Sequence, residues 1–379
     1  MIKILFIHHG SGIGGAPISL LNLIKRLDKS RFKVKVAFIV NGDIVNLFKE
    51  EGIKTEIIGT SNLWFTHNET GKIQWKYFYR YLKIYKHWQK TAYRDAPKYL
   101  ATQDFDILHL NSHVLTSWAV AGKQLNKKVV LHNRETVAKG YFGFRYNILK
   151  KLINNNCDEI INISKDNKRR LGIEKNSHII YNFVSLPKTF RETISSSHNE
   201  KKILYLGGMA KIKGFDTAVA CLPYLDKSIK LEFAGNLSDW KTTNTIKEKI
   251  KNFIKLTAYR KTYYPLLKMY QAKNAEVLGL LKEPLPVIDD CDILITPFKI
   301  EHFSRPAVEA FAYGKPVIGS DVEGMDEIID HGENGLLVEK NNPKALAEAI
   351  NYLCNNPEKA RQMGLKGREK AEQVFSPEI

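Results

Sequence analysis

Residues 2–17 read Ile2-Lys3-Ile4-Leu5-Phe6-Ile7-His8-His9-Gly10-Ser11-Gly12-Ile13-Gly14-Gly15-Ala16-Pro17. Ile2 to Ile7 is an apolar strand, and it stops at His8, His9 and Gly10. Glycines crowd the next positions, and Ala16-Pro17 opens a segment whose apolar residues recur at helical spacing from Ile18 to Leu27. Proline suits a first helical position, where its missing N–H costs nothing. Strand, glycine turn and helix in this order begin an alternating α/β chain.

The alternation continues outward. Strands are predicted at Val34–Val40, Ile53–Ile58, Ile107–Leu110, Val129–Leu131 and Ile160–Ile163. Pro187 to Lys202 breaks the rhythm with Ser195, Ser196, Ser197, His198 and Asn199, as a linker does. The pattern restarts at Ile203–Leu206 and runs through Leu231–Ala234, Val277–Leu278, Ile293–Thr296, Pro316–Ile318 and Leu336–Val338. A chain of 379 residues is also long for a single core. The predicted fold class is α/β, with two Rossmann-like parallel-sheet domains facing across a cleft. The first spans 1–185, a linker 186–200, the second 201–365 and a short tail 366–379. Trp240 to Gln271 reads as an inserted helical pair of no legible role.

The net charge is +18, which calls for an anionic partner: nucleic acid, a lipid surface or a phosphorylated substrate. No apolar run approaches the ~20 residues needed to cross a bilayer. Met1 to Ile7 is too short for a signal peptide and reads as a first strand. Cys157, Cys221, Cys291 and Cys354 are far apart with no metal-type pairing, which fits a reduced cytosolic protein.

Candidate sites follow the strands. Gly10, Gly12 and Gly15 satisfy the dinucleotide-binding spacing, and the helix start behind them favours an anion. The acidic residue that should end the second strand is missing there, because Val40-Asn41-Gly42 precedes Asp43. A tight turn without a ligand stays open. An NAD-type oxidoreductase explains this turn and nothing in the second half. His109 and His113, then His132-Asn133-Arg134-Glu135, fall at the carboxyl ends of strands, where ligands bind in open α/β sheets.

In the second half, Glu301-His302-Phe303-Ser304-Arg305-Pro306-Ala307-Val308-Glu309 is the densest stretch. If Arg305 or Pro306 begins a helix, Glu309 lies one turn inside it and Glu301 stays in the loop. Helix N–H groups then stand between two carboxylates, an arrangement that suits a sugar nucleotide. An ordinary strand–loop–helix with surface glutamates has the same spacing. Gly207-Gly208-Met209-Ala210-Lys211-Ile212-Lys213-Gly214 is a second phosphate candidate.

With these residues in place, the chain resembles the retaining GT-B glycosyltransferases, specifically glycosyltransferase family 4. Glu301 and Glu309 match its paired glutamates. Glu309 to Ile318, Asn334-Gly335-Leu336-Leu337-Val338, the loop Gly12 to Pro17 and Tyr181-Asn182-Phe183-Val184 match in order. The resemblance implies that Gly14 and Gly15 face the donor diphosphate and that Lys213 contacts it. It implies that Glu309 binds the ribose, and that backbone around Phe303, Ser304 and Arg305 holds phosphate or sugar. His132 and Glu301 would approach the reacting sugar as the catalytic pair. The implied activity moves a sugar from a UDP- or GDP-sugar, with retention, to a glycan or lipid-linked acceptor in cell-surface polysaccharide or glycoconjugate synthesis. No cofactor or metal is implied, since the sugar nucleotide is a substrate and helix N-termini and basic side chains meet the departing diphosphate. Another GT-B enzyme, an epimerase or a phosphorylase, is the alternative. Two departures stand out. Gly208-Met209 replaces the usual Arg-Leu, and the usual closing helix is expected to be absent or very short.

Lys72, Lys76, Arg80, Lys83, Lys86, Lys90, Arg94 and Lys98 recur every three or four residues, with Tyr77, Tyr81, Tyr85 and Trp88 opposite. One long amphipathic helix accounts for them. Its basic stripe, with Arg80, Lys83, Lys86 and Lys90 at the centre, is expected either to be a solvated face whose aromatics pack inward on the first domain, or to meet anionic lipid or a pyrophosphate-bearing acceptor. No nucleic-acid-binding motif accompanies it, so no nucleic acid partner is expected. The expected location is cytoplasmic, peripheral on the inner face of the membrane.

Overall fold

The structure is a computed structural model that describes residues 1–12, 14–59, 78–137, 139, 143–190, 200–237, 256–281 and 283–377. Side chains of 78–81 and 256–263 are outside the description. The chain divides into two compact units, Met1–Asn182 and Phe183–Ile379.

The first unit runs β1 (Ile2–His8), α1 (Gly15–Arg26), β2 (Phe32–Phe38), α2 (Asp43–Glu50), β3 (Thr55–Ile57), α3 (Phe78–Lys90), α4 (Ala96–Ala101) and β4 (Ile107–Leu110). It continues with α5 (Thr116–Gln124), β5 (Lys128–Asn133), α6 (Phe144–Asn156), β6 (Glu159–Asn162), α7 (Lys165–Leu171) and β7 (Ser177–Ile179). The strands are parallel, in the order β3-β2-β1-β4-β5-β6-β7. Alternate residues point to opposite faces. Ile4, Phe6, Val36 and Phe38 pack with Leu20, Leu21 and Ile24 of α1. Leu5, Ile7, Leu108, Leu110, Val129 and Leu131 pack with Trp118 and Ala119 of α5 on the other face. Pro17 is the third residue of α1 rather than the first, still within the turn whose N–H groups lack intrahelical partners. β7 escapes an apolar reading because only Ser177 in it is buried.

The second unit runs β8 (Lys201–Leu206), α8 (Phe215–Cys221), β9 (Ile229–Ala234), α9 (Leu256–Gln271), β10 (Ala275–Gly279), α10 (Leu285–Asp290) and β11 (Ile293–Thr296). Then follow α11 (Arg305–Ala312), β12 (Val317–Ser320), β13 (Gly335–Val338), α12 (Pro343–Asn355) and α13 (Pro357–Val374). Its sheet is also parallel, in the order β10-β9-β8-β11-β12-β13. The architecture is therefore two parallel α/β sheets of the Rossmann type.

One expectation, about the end of the chain, changes. Residues 366–374 are not a tail; they continue the 18-residue helix α13. Arg368 of that helix explains the docking: it donates to the carbonyls of Ala312 and Pro187 and covers the Phe190 ring at 5.1 Å. Of the expected insertion at 240–271, residues 240–255 lie outside the described residues, and α9 follows them. All four cysteines are free thiols.

Candidate functional site

In each sheet the strand order reverses once, between β1 and β4 and between β8 and β11. Ligands of open α/β sheets bind beyond the carboxyl ends of the strands at such a point.

In the first unit that end is polar. Register pairs Ile7 with Leu110 and Leu110 with Leu131, so His8, Asn111 and His132 follow at one level on three neighbouring strands. They share the face that buries Phe6 and Phe38 lower down. Arg134 joins them: its Nε lies 2.6 Å from Asn111 Oδ1, Nη1 2.7 Å from Asn182 Oδ1 and Nη2 3.2 Å from His132 Nδ1. Asn111 Nδ2 lies 3.0 Å from His8 Nδ1 and 3.4 Å from the Ala16 carbonyl in the first turn of α1. Gly14 precedes that helix with no side-chain cap, and Gly15 is its first residue. Burial, then His9 and Arg134, pushes the His8 imidazole down to about 3. Burial, then Arg134 and His109, holds His132 well below its ordinary value. His109 lies one layer deeper, 4.5 Å from the Phe6 ring and 5.6 Å from the His132 ring. His113 Nδ1 donates to Asn133 Oδ1 at 3.0 Å and serves the framework.

In the second unit the glycine loop and the paired-glutamate segment are brought together. The Lys299 N–H donates to the Ile212 carbonyl at 2.9 Å, and Lys299 Nζ pairs with Asp216 at 2.7 Å. The Tyr205 hydroxyl supports the loop from below, 3.2 Å from the Gly208 carbonyl and 3.3 Å from that of Lys213. Lys213 is half-buried, and desolvation lowers its pKa. Gly208 has φ +56°, and a Cβ there would come within 2.9 Å of the Asn236 nitrogen. An arginine at this position would strain the loop as folded.

Helix α11 begins at Arg305, with Glu309 one turn inside and Glu301 in the loop before it. Ser304 is fully buried and its Oγ accepts from the Ala307 N–H, so its side chain is spent on capping the helix. Phe303 is buried 5.9 Å from the Phe375 ring. Arg305 Nε pairs with Glu309 Oε1 at 2.8 Å. Burial raises the Glu309 pKa and Arg305 opposes the rise. His302, not singled out from sequence, stacks on Phe298 at 4.2 Å, and burial together with Lys213 takes it down to about 4. Among the described residues, no group of three or more His, Cys, Asp and Glu side chains is arranged to hold a metal.

The basic stripe is less regular than a single helix. Lys72, Lys76 and Tyr77 lie outside the described residues, as do the side chains of Arg80 and Tyr81. A π-helical turn at Thr91–Asp95 separates α3 from α4. Trp88, Ala92, Ala96 and Leu100 are all buried at a spacing of four. In an unbroken α-helix such a row drifts about 40° per step, and the wider turn offsets that drift. Trp88 Nε1 donates to Thr116 Oγ1 at 3.0 Å. Tyr85 does not pack inward as expected; it is 41% exposed and stacks on Trp88. Lys83, Lys86 and Lys90 are exposed, and Lys90 and Arg94 both pair with Asp95. No helix among the described residues is long and apolar enough to cross a membrane.

Residues 13–187 match the family model described as Glycosyltransferase Family 4, and residues 188–370 match Glycosyl transferases group 1. An uncharacterized glycosyltransferase of Methanocaldococcus jannaschii is 27% identical over 374 residues, covering 94% of this chain and 89% of the relative. The capsular polysaccharide biosynthesis glycosyltransferase CapM of Staphylococcus aureus is 26% identical over 58% of this chain and 54% of its own length. Among solved structures, Anabaena HepE in complex with UDP-glucose superposes with a TM-score of 0.74 at 17% identity, covering 99% of this chain and 96% of that one. Staphylococcus aureus TarM, in complex with fondaparinux, α-GlcNAc-glycerol and UDP, gives 0.70 at 15% identity, covering 100% and 98%. These two structural likenesses show the GT-B fold.

Proposed function

The chain belongs to the glycosyltransferase family 4 and group 1 glycosyl transferases, and from that premise we propose a retaining enzyme that takes a sugar from a UDP- or GDP-sugar. The acceptor is a glycan or lipid-linked sugar of the cell surface, met at the inner face of the membrane. One observation carries the donor assignment. Lys213, and the segment that leads into the start of α11 and Glu309, are held together by the Lys299–Ile212 hydrogen bond. A cation and helix N–H groups answer the diphosphate, and a carboxylate answers the ribose hydroxyls. HepE was solved with UDP-glucose and CapM is named for capsular polysaccharide biosynthesis, which supports donor and product class.

In the reaction the bond from the anomeric carbon to the diphosphate oxygen breaks, the acceptor hydroxyl oxygen bonds to that carbon on the same face, and the hydroxyl proton passes to the departing diphosphate. Lys213, Arg305 and the N-termini of α1 and α11 stabilise the leaving charge, which makes a divalent metal unnecessary. Gly14 and Gly15 let the α1 terminus approach the diphosphate, and Glu301 binds the transferred sugar. His132, neutral and buried, donates a hydrogen bond to a sugar hydroxyl rather than moving a proton. Product NMR after turnover with UDP- and GDP-sugars, with and without EDTA, tests this reading. The expected product keeps the donor's anomeric configuration and forms in EDTA. Inversion, or activity lost to EDTA and restored by manganese, overturns it.

A further inference from the structure

Arginine nitrogens only donate hydrogen bonds. Arg134 Nη2 lies 3.2 Å from His132 Nδ1, so that nitrogen accepts, and the single proton of the neutral ring sits on Nε2. Arg134 Nε also occupies Asn111 Oδ1 at 2.6 Å, which leaves Asn111 Nδ2 facing His8 Nδ1 at 3.0 Å. The amide nitrogen donates there, so His8 also carries its proton on Nε2. Burial keeps both rings neutral near pH 7. Among the described residues both Nε2 atoms are buried and without a hydrogen-bond partner, on side chains of residues 1% and 5% exposed. Native interiors rarely leave such donors unmade, and the exceptions gather at functional positions. Gly10 lies against His8 Nε2, and a Cβ at that position would stand 3.1 Å from it.

We infer that Arg134 is a positioning residue that locks His8 and His132 as a pair of neutral Nε2–H donors, and that His8 is a further binding residue for a hydroxyl or ring oxygen of the sugar. Neutral donors match the uncharged oxygens of a sugar, where a phosphate would be matched by a cation. The sugar contact rests on the transferase reading; the tautomers do not.

Long-range proton–nitrogen NMR on the full chain labelled with ¹⁵N-histidine reads each tautomer, with His8→Gln and His132→Gln assigning the signals. Wild type is expected to show Nε2–H on both rings. Asn111→Asp keeps an acceptor for Arg134 but presents a second one to His8 Nδ1. It is expected to move the His8 proton to Nδ1 and leave His132 unchanged. The same variant is expected to weaken UDP-glucose binding about tenfold, the size of one hydrogen bond, while UDP binding stays within about twofold. Should Asn111→Asp fail to fold, Arg134→Lys keeps the charge without the fork, and both tautomers are expected at His132. A proton on Nδ1 of either ring in wild type, or an unmoved His8 in Asn111→Asp, overturns the positioning role. UDP and UDP-glucose affinities that change equally, or not at all, overturn the sugar contact. A wild type that binds neither UDP- nor GDP-sugars overturns the transferase reading and the sugar contact with it, and leaves the tautomers standing.

Discussion

Arg305 Nε sits 2.8 Å from Glu309 Oε1, one turn apart on the same buried helix start. The pair sets the charge on the carboxylate proposed for the ribose: burial raises its pKa, and the guanidinium opposes the rise. Arg305→Met removes the opposing partner, so the Glu309 pKa is expected to climb further. The ionised carboxylate is the better acceptor, so UDP affinity is expected to fall as pH drops from 8 to 5, more steeply than in wild type. Glu309→Gln is expected to weaken UDP about 10- to 100-fold at pH 8, the worth of a charged hydrogen bond, about 1.5–3 kcal/mol. Calorimetry across that pH range measures both; a gap between Arg305→Met and wild type that stays constant with pH is the contrary result.

Gly214 follows Lys213 directly with φ +75°, and a Cβ there would come within 1.8 Å of the Pro297 carbonyl oxygen. Gly214→Ala therefore strains the backbone and forces apart the two loops of the donor site. A cost of about 1–3 kcal/mol is expected from the strain, or several degrees in melting temperature, with a loss of UDP affinity alongside. Gly52→Ala is the control, since its φ is +70° but nothing lies within 4 Å of the new Cβ. It is expected to cost less and to leave UDP binding alone. Thermal melts and titrations of the two variants decide.

Three buried histidines make the first unit acid-sensitive. His8, His109 and His132 have folded pKa values depressed below 6.5, chiefly by burial. The unfolded chain binds their protons and the folded one does not, so their stabilisation is full above about pH 6.5 and is lost as pH falls. Each contributes a slope of up to about 1.4 kcal/mol per pH unit below that point. Urea unfolding between pH 7 and 5 is expected to steepen accordingly, and His109→Gln is expected to flatten it. An unchanged slope in that variant contradicts the assignment.

Lys83 and Lys86 are exposed on α3, whereas Lys90 shares Asp95 with Arg94. Lys83→Glu with Lys86→Glu is therefore expected to release the protein from anionic vesicles more than Lys90→Glu does. Each cation near such a surface contributes about 1 kcal/mol, screened as salt rises. Co-sedimentation at low and high salt reads this directly. Equal binding by wild type and the double variant makes the stripe an ordinary solvated face.

Local chemistry was enough for much of this protein. Apolar runs bounded by glycine turns located both sheets, because a parallel strand buried on both faces must be apolar throughout. The span from Glu301 to Glu309 set the loop-to-helix step, because Ser304 and Pro306 are start signals legible in one turn of chain. What no local reading reaches is contact between distant residues. The row His8, Asn111 and His132 spans 124 positions and exists only because β1, β4 and β5 lie side by side in register. The π turn at Thr91–Asp95 depends on the core that Trp88 and Ala92 must meet, and the helix α13 on what Arg368 finds beneath it. Tautomer, ion pair and burial are settled by neighbours brought together through packing, so the tertiary structure alone decided them.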